Sequence, residues 1–197
     1  MQQLIELYKK WAGTGPAHVE KLAGAGSNRQ YYRLTGADGK TVIGAIGTSR
    51  EEDHAFISID RHFVKQKLPV PEVLDVSDDE MRYLQTDLGL TSLFDAIKGG
   101  REAGGRYNLA EQELLIRALP NLQIHGAQGM DWSVCYPQPE FDAEGVLFDL
   151  NYFKYCFLKP SEIDFNEVHL EANFRSLARD LTSESGEGFL YRDFQAR

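Results

Sequence analysis

Two short stretches of the 197-residue chain hold the residue types from which a phosphate site and a proton acceptor can be built. The first is Gly24-Ala25-Gly26-Ser27-Asn28-Arg29, a run of small residues closed by a cation. The second is Leu190-Tyr191-Arg192-Asp193-Phe194, which sets one carboxylate behind an apolar stretch. Small residues let backbone amides approach phosphate oxygens. A carboxylate can orient a hydroxyl and accept its proton, although an Asp in a loop also serves as an ordinary turn residue. Side chains alternate along a strand, so Tyr31, Arg33 and Thr35 share one side of the segment after the loop. Either Arg29 or Arg33 is then the cation available to a phosphate, unless Arg33 faces solvent on an edge strand.

The residues after the glycines separate the meanings of the loop. A dinucleotide fold or a P-loop needs a helix opening directly after them, and a P-loop also needs a Lys-Ser or Lys-Thr pair. Neither is present; the chain continues as Gln30-Tyr31-Tyr32-Arg33-Leu34, and adjacent tyrosines favour a strand. A glycine loop joining two antiparallel strands is how kinase-type folds cover nucleotide phosphates. A plain hairpin turn uses the same residues.

Apolar spacing predicts the elements that position these stretches. Leu4, Leu7, Tyr8 and Trp11 mark one helix face, stopped by Gly13 to Pro16. Val19 to Leu22 is a short apolar stretch, Gln30 to Thr35 a strand, Gly36 to Gly39 a turn, and Thr41 to Ile46 the returning strand. Ser49 to Lys67 predicts a helix capped by Ser49, with acids in its first turn and Phe56, Ile59, His62 or Phe63, and Gln66 or Lys67 on its buried face. Pro69 to Leu74 is extended and Tyr83 to Asp87 is another strand. Thr91 to Ile97 starts a helix, and the glycine-rich basic stretch Lys98 to Tyr107 reads as a mobile loop. Leu109 to Ile124 predicts a helix interrupted or bent at Pro120, Val146 to Lys159 a buried aromatic helix where strand and helix are hard to separate, and Asn166 to Leu181 an amphipathic helix. Strands first and helices after predict an α+β chain, with a small antiparallel-sheet lobe over 1–88 and a mostly helical lobe over 89–197.

Charged residues make up 26% and apolar residues 42%, the balance of a folded chain rather than a disordered one. Lys plus Arg number 21 against 30 Asp plus Glu, a net charge of −9. That sign disfavours a general nucleic-acid or anionic-membrane surface. Cys135 and Cys156 form no CxxC pair, which predicts buried reduced thiols and neither a disulfide framework nor a zinc site. No apolar run reaches bilayer-spanning length, and a cytoplasmic location is expected. Asp149 and Asn151, in an otherwise apolar run, either tie their helix in place or line an acceptor pocket. His125 reads as a packed or solvated histidine.

Phe189-Leu190-Tyr191-Arg192-Asp193-Phe194-Gln195-Ala196-Arg197 resembles the catalytic loop of the aminoglycoside phosphotransferase and choline kinase class, which shares the protein-kinase-like fold. It is most similar to the bacterial branch of anomeric kinases acting on N-acetylmuramate and N-acetylglucosamine. Gly26-Ser27-Asn28-Arg29-Gln30-Tyr31-Tyr32-Arg33-Leu34, Pro69 to Leu74 and the hinge-like Tyr83-Leu84-Gln85-Thr86-Asp87-Leu88-Gly89 share the likeness, which runs across nearly the whole chain. The resemblance implies ATP and Mg2+ as cofactors and a sugar or amino-sugar hydroxyl as acceptor. It implies Asp193 as catalytic base, and Gly26, Ser27, Asn28 and Arg29 over the phosphates. Arg33 enters as the alternative phosphate cation, Glu52 as the helix acid that pairs a strand lysine, and Gln85 to Leu88, with Asp87, as the adenine-facing hinge.

Three departures accompany it. Tyr191 stands for the loop histidine, and the third strand carries no lysine, Lys40 sitting only at its mouth. The loop's Asn falls at position 198 and the metal-binding Asp later still. A catalytically incomplete N-terminal portion of a longer phosphotransferase is therefore expected, with no metal ligand inside the chain. The alternative is a nucleotide-binding or regulatory pseudokinase; a non-catalytic binding module is a third reading.

Overall fold

The computed structural model describes residues 1–24, 28–102, 116–184, 186, 188–192 and 194. Helix α1 (Gln2–Ala12) buries Leu4, Leu7 and Tyr8 on one stripe. Gly13, at φ 78°, closes it by donating its N–H to the Lys9 carbonyl. Trp11, expected on the same face, is 43% exposed in the last turn of the helix, with its ring against that of Tyr8.

Strands β1 (His18–Lys21), β2 (Gln30–Thr35), β3 (Thr41–Ile46), β4 (Val73–Val76) and β5 (Arg82–Thr86) form one antiparallel sheet in the order β1-β2-β3-β5-β4. Helix α2 (Arg50–Lys65) runs between β3 and β4, so β5 rather than β4 pairs with β3. The Ser49 side chain accepts the Glu52 N–H and caps α2, as its sequence predicts. The chain is thus α+β, with its strands ahead of most of its helices.

Period-two alternation sorts the strand residues between two helices. Tyr32, Leu34, Val42 and Leu84 pack on α1 around Leu4, Leu7 and Tyr8. Gly44 makes that approach possible, since a β-carbon there would press on both methyls of Leu4. Ala45 and Tyr83 face the other way and meet Ile57 and Phe56 of α2. Helix α2 buries Asp53, Ala55, Ile57, Asp60 and Phe63; Phe63 belongs to the expected face, and Phe56 and Ile59 of that face are part-buried against the core. Two carboxylates on the packed face are what apolar periodicity alone does not anticipate. Asp60 is accommodated there by accepting the Val73 N–H at the start of β4.

The far end of α2 carries a third cluster, in which Phe63 and Leu68 pack with Leu122 and Met130 and with the half-buried Trp132 and Phe189. His62 Nε2 lies 2.8 Å from the Gly126 carbonyl, and the Gln66 amide donates to the Gln128 carbonyl at 2.9 Å. His125 contacts the Gln66 carbonyl and the Gln128 side chain, a packing role.

Helix α3 (Leu93–Glu102) extends through Lys98–Glu102, where a loop is expected. Ser92 and Asp95 bond each other reciprocally at its N-terminal end, and a well-nucleated helix continues through Gly99 and Gly100 despite their cost of about 1 kcal/mol each. The rest of that expected loop, and the start of the expected helix from Leu109 to residue 115, lie outside the described residues. Helix α4 (116–120) passes into a π turn over Asn121–His125 directly after Pro120, so the predicted bend is a change of helical register.

Helix α5 (Ala143–Phe153) continues as a π turn over Lys154–Leu158, then α6 (Glu167–Leu181) packs back on α5. The aromatic run is helical but not buried: Phe148 and Tyr152 are 65% and 67% exposed. Gly145, Val146 and Lys154 are the buried residues of this stretch: Gln138 and Phe141 crowd Gly145, the glutamates of α6 cover Lys154, and Cys156 is exposed where a buried thiol is expected. Lys154 meets Glu167 at 2.8 Å and Glu171 at 2.6 Å on α6, which is how a lysine inside an aromatic run can be buried. Among the described residues no helix is long and apolar enough to cross a membrane.

Candidate functional site

Strand β2 begins soon after the glycine stretch, and Arg29 stands just ahead of it. Its Nη2 lies 2.7 Å from Asp53 Oδ1 and 3.1 Å from Glu52 Oε1, both in the first turn of α2. The guanidinium carbon sits 5.2 Å from the Phe56 ring and 5.9 Å from the Tyr83 ring. Burial works against the charge of Arg29, but Tyr83, Tyr31 and Asp53 outweigh it and raise its pKa, so the guanidinium stays protonated. Burial is also the main influence on Asp53 and pushes its carboxyl up, with Arg29 opposing. Tyr83, fully buried beside them, has its phenol raised by burial and by Tyr31.

Arg33 goes elsewhere. Its Nε donates to Asp87 Oδ2 at 2.6 Å and its Nη2 to Asp87 Oδ1 at 3.2 Å, a fork on the residue just after β5. The same Nη2 donates to the Gly89 carbonyl at 3.1 Å, while the Gly89 N–H donates back to Asp87. The segment leaving the sheet is thereby strapped to β2. The Arg33 hydrogen bonds are the main cause that holds the Asp87 carboxyl down at about 2.

That depression fixes a pH dependence. An Asp lowered from an ordinary value near 3.9 contributes stability above that value and loses it as pH falls toward about 2. The loss is on the order of 2 kcal/mol. Arg33→Gln is expected to return the Asp87 midpoint toward 3.9 and to remove this acid-range loss, as followed by the Asp87 carboxyl resonance and by urea unfolding at pH 5 and pH 2.

Of the remaining expected site residues, Asn28 is exposed, Glu52 is half-exposed at its pairing position, and Leu88 is 73% exposed on the strap. Gln85 lies within β5, with Ile43 of β3 and Val73 of β4 as its ladder partners. Gly26, Ser27 and Asp193 lie outside the described residues. The segment approaching Asp193 is held at two points. Phe189 donates its N–H to the Gln123 carbonyl and packs edge-on against Phe63. Arg192 meets Asp149 of α5 at 2.6 Å and lies 5.1 Å over the Phe141 ring. Asp149 is thus a tether of that segment, while Asn151 donates to the Leu147 carbonyl one helical turn back.

Sequence reasoning missed Asp53 and Gly47. Asp53 reads as one of three acids suited to a helix start, yet it stands seven residues before Asp60 on the packed face. Gly47, the residue after β3, leaves the space that the Asp53 carboxylate fills. A glycine at that point, with three acids soon after it, is the only trace in the sequence.

Chemically, the site offers a fixed guanidinium at the head of β2 and a strapped segment after β5. Arg29 is a cation of the kind a phosphate group would need, its side chain 10% exposed and shared with Glu52 and Asp53. Among the described residues no group of three or more His, Cys, Asp or Glu could hold a metal ion. No family model and no curated protein matches the chain.

Proposed function

We propose that the chain is an ATP-dependent phosphotransferase of protein-kinase-like fold that acts on a small-molecule hydroxyl, that of a sugar or amino sugar. The observation that carries this reading is the pairing of Arg29 with Glu52 and Asp53. A kinase-type site needs a cation at the sheet, held by an acid of the helix after the third strand, beside the glycine loop. β3 has no lysine to serve there, and the head of β2 supplies the arginine instead. The antiparallel sheet, the position of α2 between β3 and β4, and the strap after β5 support the same reading.

In this scheme Arg29 stabilises charge on the ATP phosphates, and Arg33 fixes the hinge through Asp87. Asp193 accepts the proton of the acceptor hydroxyl as its oxygen bonds to the γ-phosphorus and the bond to ADP breaks. The anchors at Phe189 and Arg192 set the approach of the segment that bears Asp193. The absence of a lysine from β3 favours one second reading, a nucleotide-binding module without turnover.

The test is ATP consumption against a panel of amino sugars, sugars and aminoglycosides by the reading frame continued past Arg197 to its natural stop, with Asp193→Ala and the 197-residue chain beside it. Acceptor-dependent consumption that falls by about 100-fold or more in Asp193→Ala supports the phosphotransferase. Tight ATP binding with no consumption by any acceptor supports the module instead.

A further inference from the structure

Two carboxylates contact Arg29, and their surroundings differ. The Glu52 side chain is 45% exposed and 3.1 Å away, while the Asp53 side chain is 0% exposed and 2.7 Å away. Solvent screens the first pair and not the second. Asp53 is also confined sterically. A β-carbon on Gly47 would overlap its carboxylate, and the Gly47 backbone is fixed by its N–H bond to the Met81 carbonyl at 2.9 Å.

Both Asp53 carboxylate oxygens are buried with no hydrogen-bond partner among the described residues, and Oδ1 has the ion pair with Arg29 at 2.7 Å. A buried carboxylate held by an ion pair without well-formed hydrogen bonds is a poor source of stability compared with an apolar side chain of similar size. What it does supply is direction. Phe56 and Tyr83 flank the guanidinium, Asp53 grips one of its nitrogens, and together they fix where a long, rotatable side chain points.

We infer that Asp53, seated against Gly47, is the positioning residue that aims Arg29 at the phosphates of a bound nucleotide, with Glu52 as a secondary contact. This role rests on nucleotide binding, the first half of the proposed function. Pre-aiming the cation removes the cost of ordering it when the nucleotide arrives.

The test is calorimetric titration of the 197-residue chain with ADP and with adenosine. The unaltered protein is compared with Asp53→Asn, Glu52→Gln, Arg29→Gln and the Asp53→Asn/Arg29→Gln double variant. Asp53→Asn is expected to weaken ADP by about 10-fold or more while adenosine changes less than about 2-fold, in line with loss of a charge-assisted contact to phosphate. Glu52→Gln is expected to weaken ADP by less than about 3-fold, and the double variant to bind ADP no worse than Arg29→Gln alone. The 31P resonance of the bound β-phosphate should move in Asp53→Asn and hold still in Glu52→Gln.

The inference is overturned if Glu52→Gln has the larger effect, or if Asp53→Asn weakens ADP and adenosine equally. An independent check needs no substitution. In the unaltered, ligand-free chain the Arg29 side-chain nitrogens should give separate 15N signals of a guanidinium that does not rotate freely, and averaged signals would overturn the inference. A chain that holds Arg29 rigidly yet binds ADP no more tightly than adenosine would instead count against the nucleotide reading itself, and with it the inference.

Discussion

Gly47→Ala is expected to destabilise the protein by about 3 kcal/mol, a large effect for adding one methyl group. The new β-carbon would occupy the space of the Asp53 carboxylate, which is flanked by the buried residues of α2 and cannot reach solvent. Asp53 must then rotate away from Arg29 or α2 must shift from the end of β3. The first outcome breaks an ion pair with almost no solvent exposure, and the second opens the cluster of Ala45, Ile57 and Tyr83. Gly39→Ala provides the contrast: Gly39 has φ 79° in an exposed turn, with no atom within 4 Å of the added carbon. Its cost is backbone strain alone, about 1 kcal/mol. Urea unfolding of the two variants separates the steric cost from the conformational one; equal losses would place the Asp53 seat outside the stability of the fold.

The second large effect concerns the pair itself. Arg29→Met is expected to cost about 3–5 kcal/mol, because it leaves Asp53 buried with no cation beside it. Adding Asp53→Asn should recover most of that loss, since a neutral amide has far less to lose by burial. The same double variant gains nothing in nucleotide binding. Stability and phosphate recognition then part company, which is the signature of a charge pair retained for its direction. If the double variant is as unstable as Arg29→Met alone, the methylene stem of Arg29 between Phe56 and Tyr83, and not its charge, is what the fold needs.

Much of the sheet is legible in the chain because its signals are local. Tyr31 and Tyr32 before the Ala37-Asp38-Gly39 turn, and Thr41 to Ile46 after it, leave little room for anything but a hairpin. Ser49 ahead of three acids sets the start of α2. The helical half is less legible. Whether Lys98–Glu102 continues a helix depends on the nucleation at Ser92 and Asp95 more than on Gly99 and Gly100. The exposure of Phe148 and Tyr152 depends on which stripe of α5 is covered by α6, a fact of packing that composition does not carry.

The site divides in the same way. Arg29 and Arg33 are equivalent as residue types near a glycine loop, and only the paired register of β2, β3 and β5 separates them. Arg33 stands opposite Ile43, whose other partner is Gln85, and so it meets Asp87 at the end of β5. Arg29 lies ahead of the first paired residue of β2 and meets the start of α2. Asp53 is hidden because a carboxylate in a first helical turn is so well explained by the helix dipole that a second role leaves no mark.

Recognition of nucleotide phosphates by this sheet and Arg29 is decided by the affinity of the unaltered 197-residue chain for ATP relative to adenosine. ATP is expected to bind tighter by about 100-fold, with the difference shrinking as salt is raised, because the discriminating contact is ionic. Equal affinities, or no measurable binding of either, would contradict it.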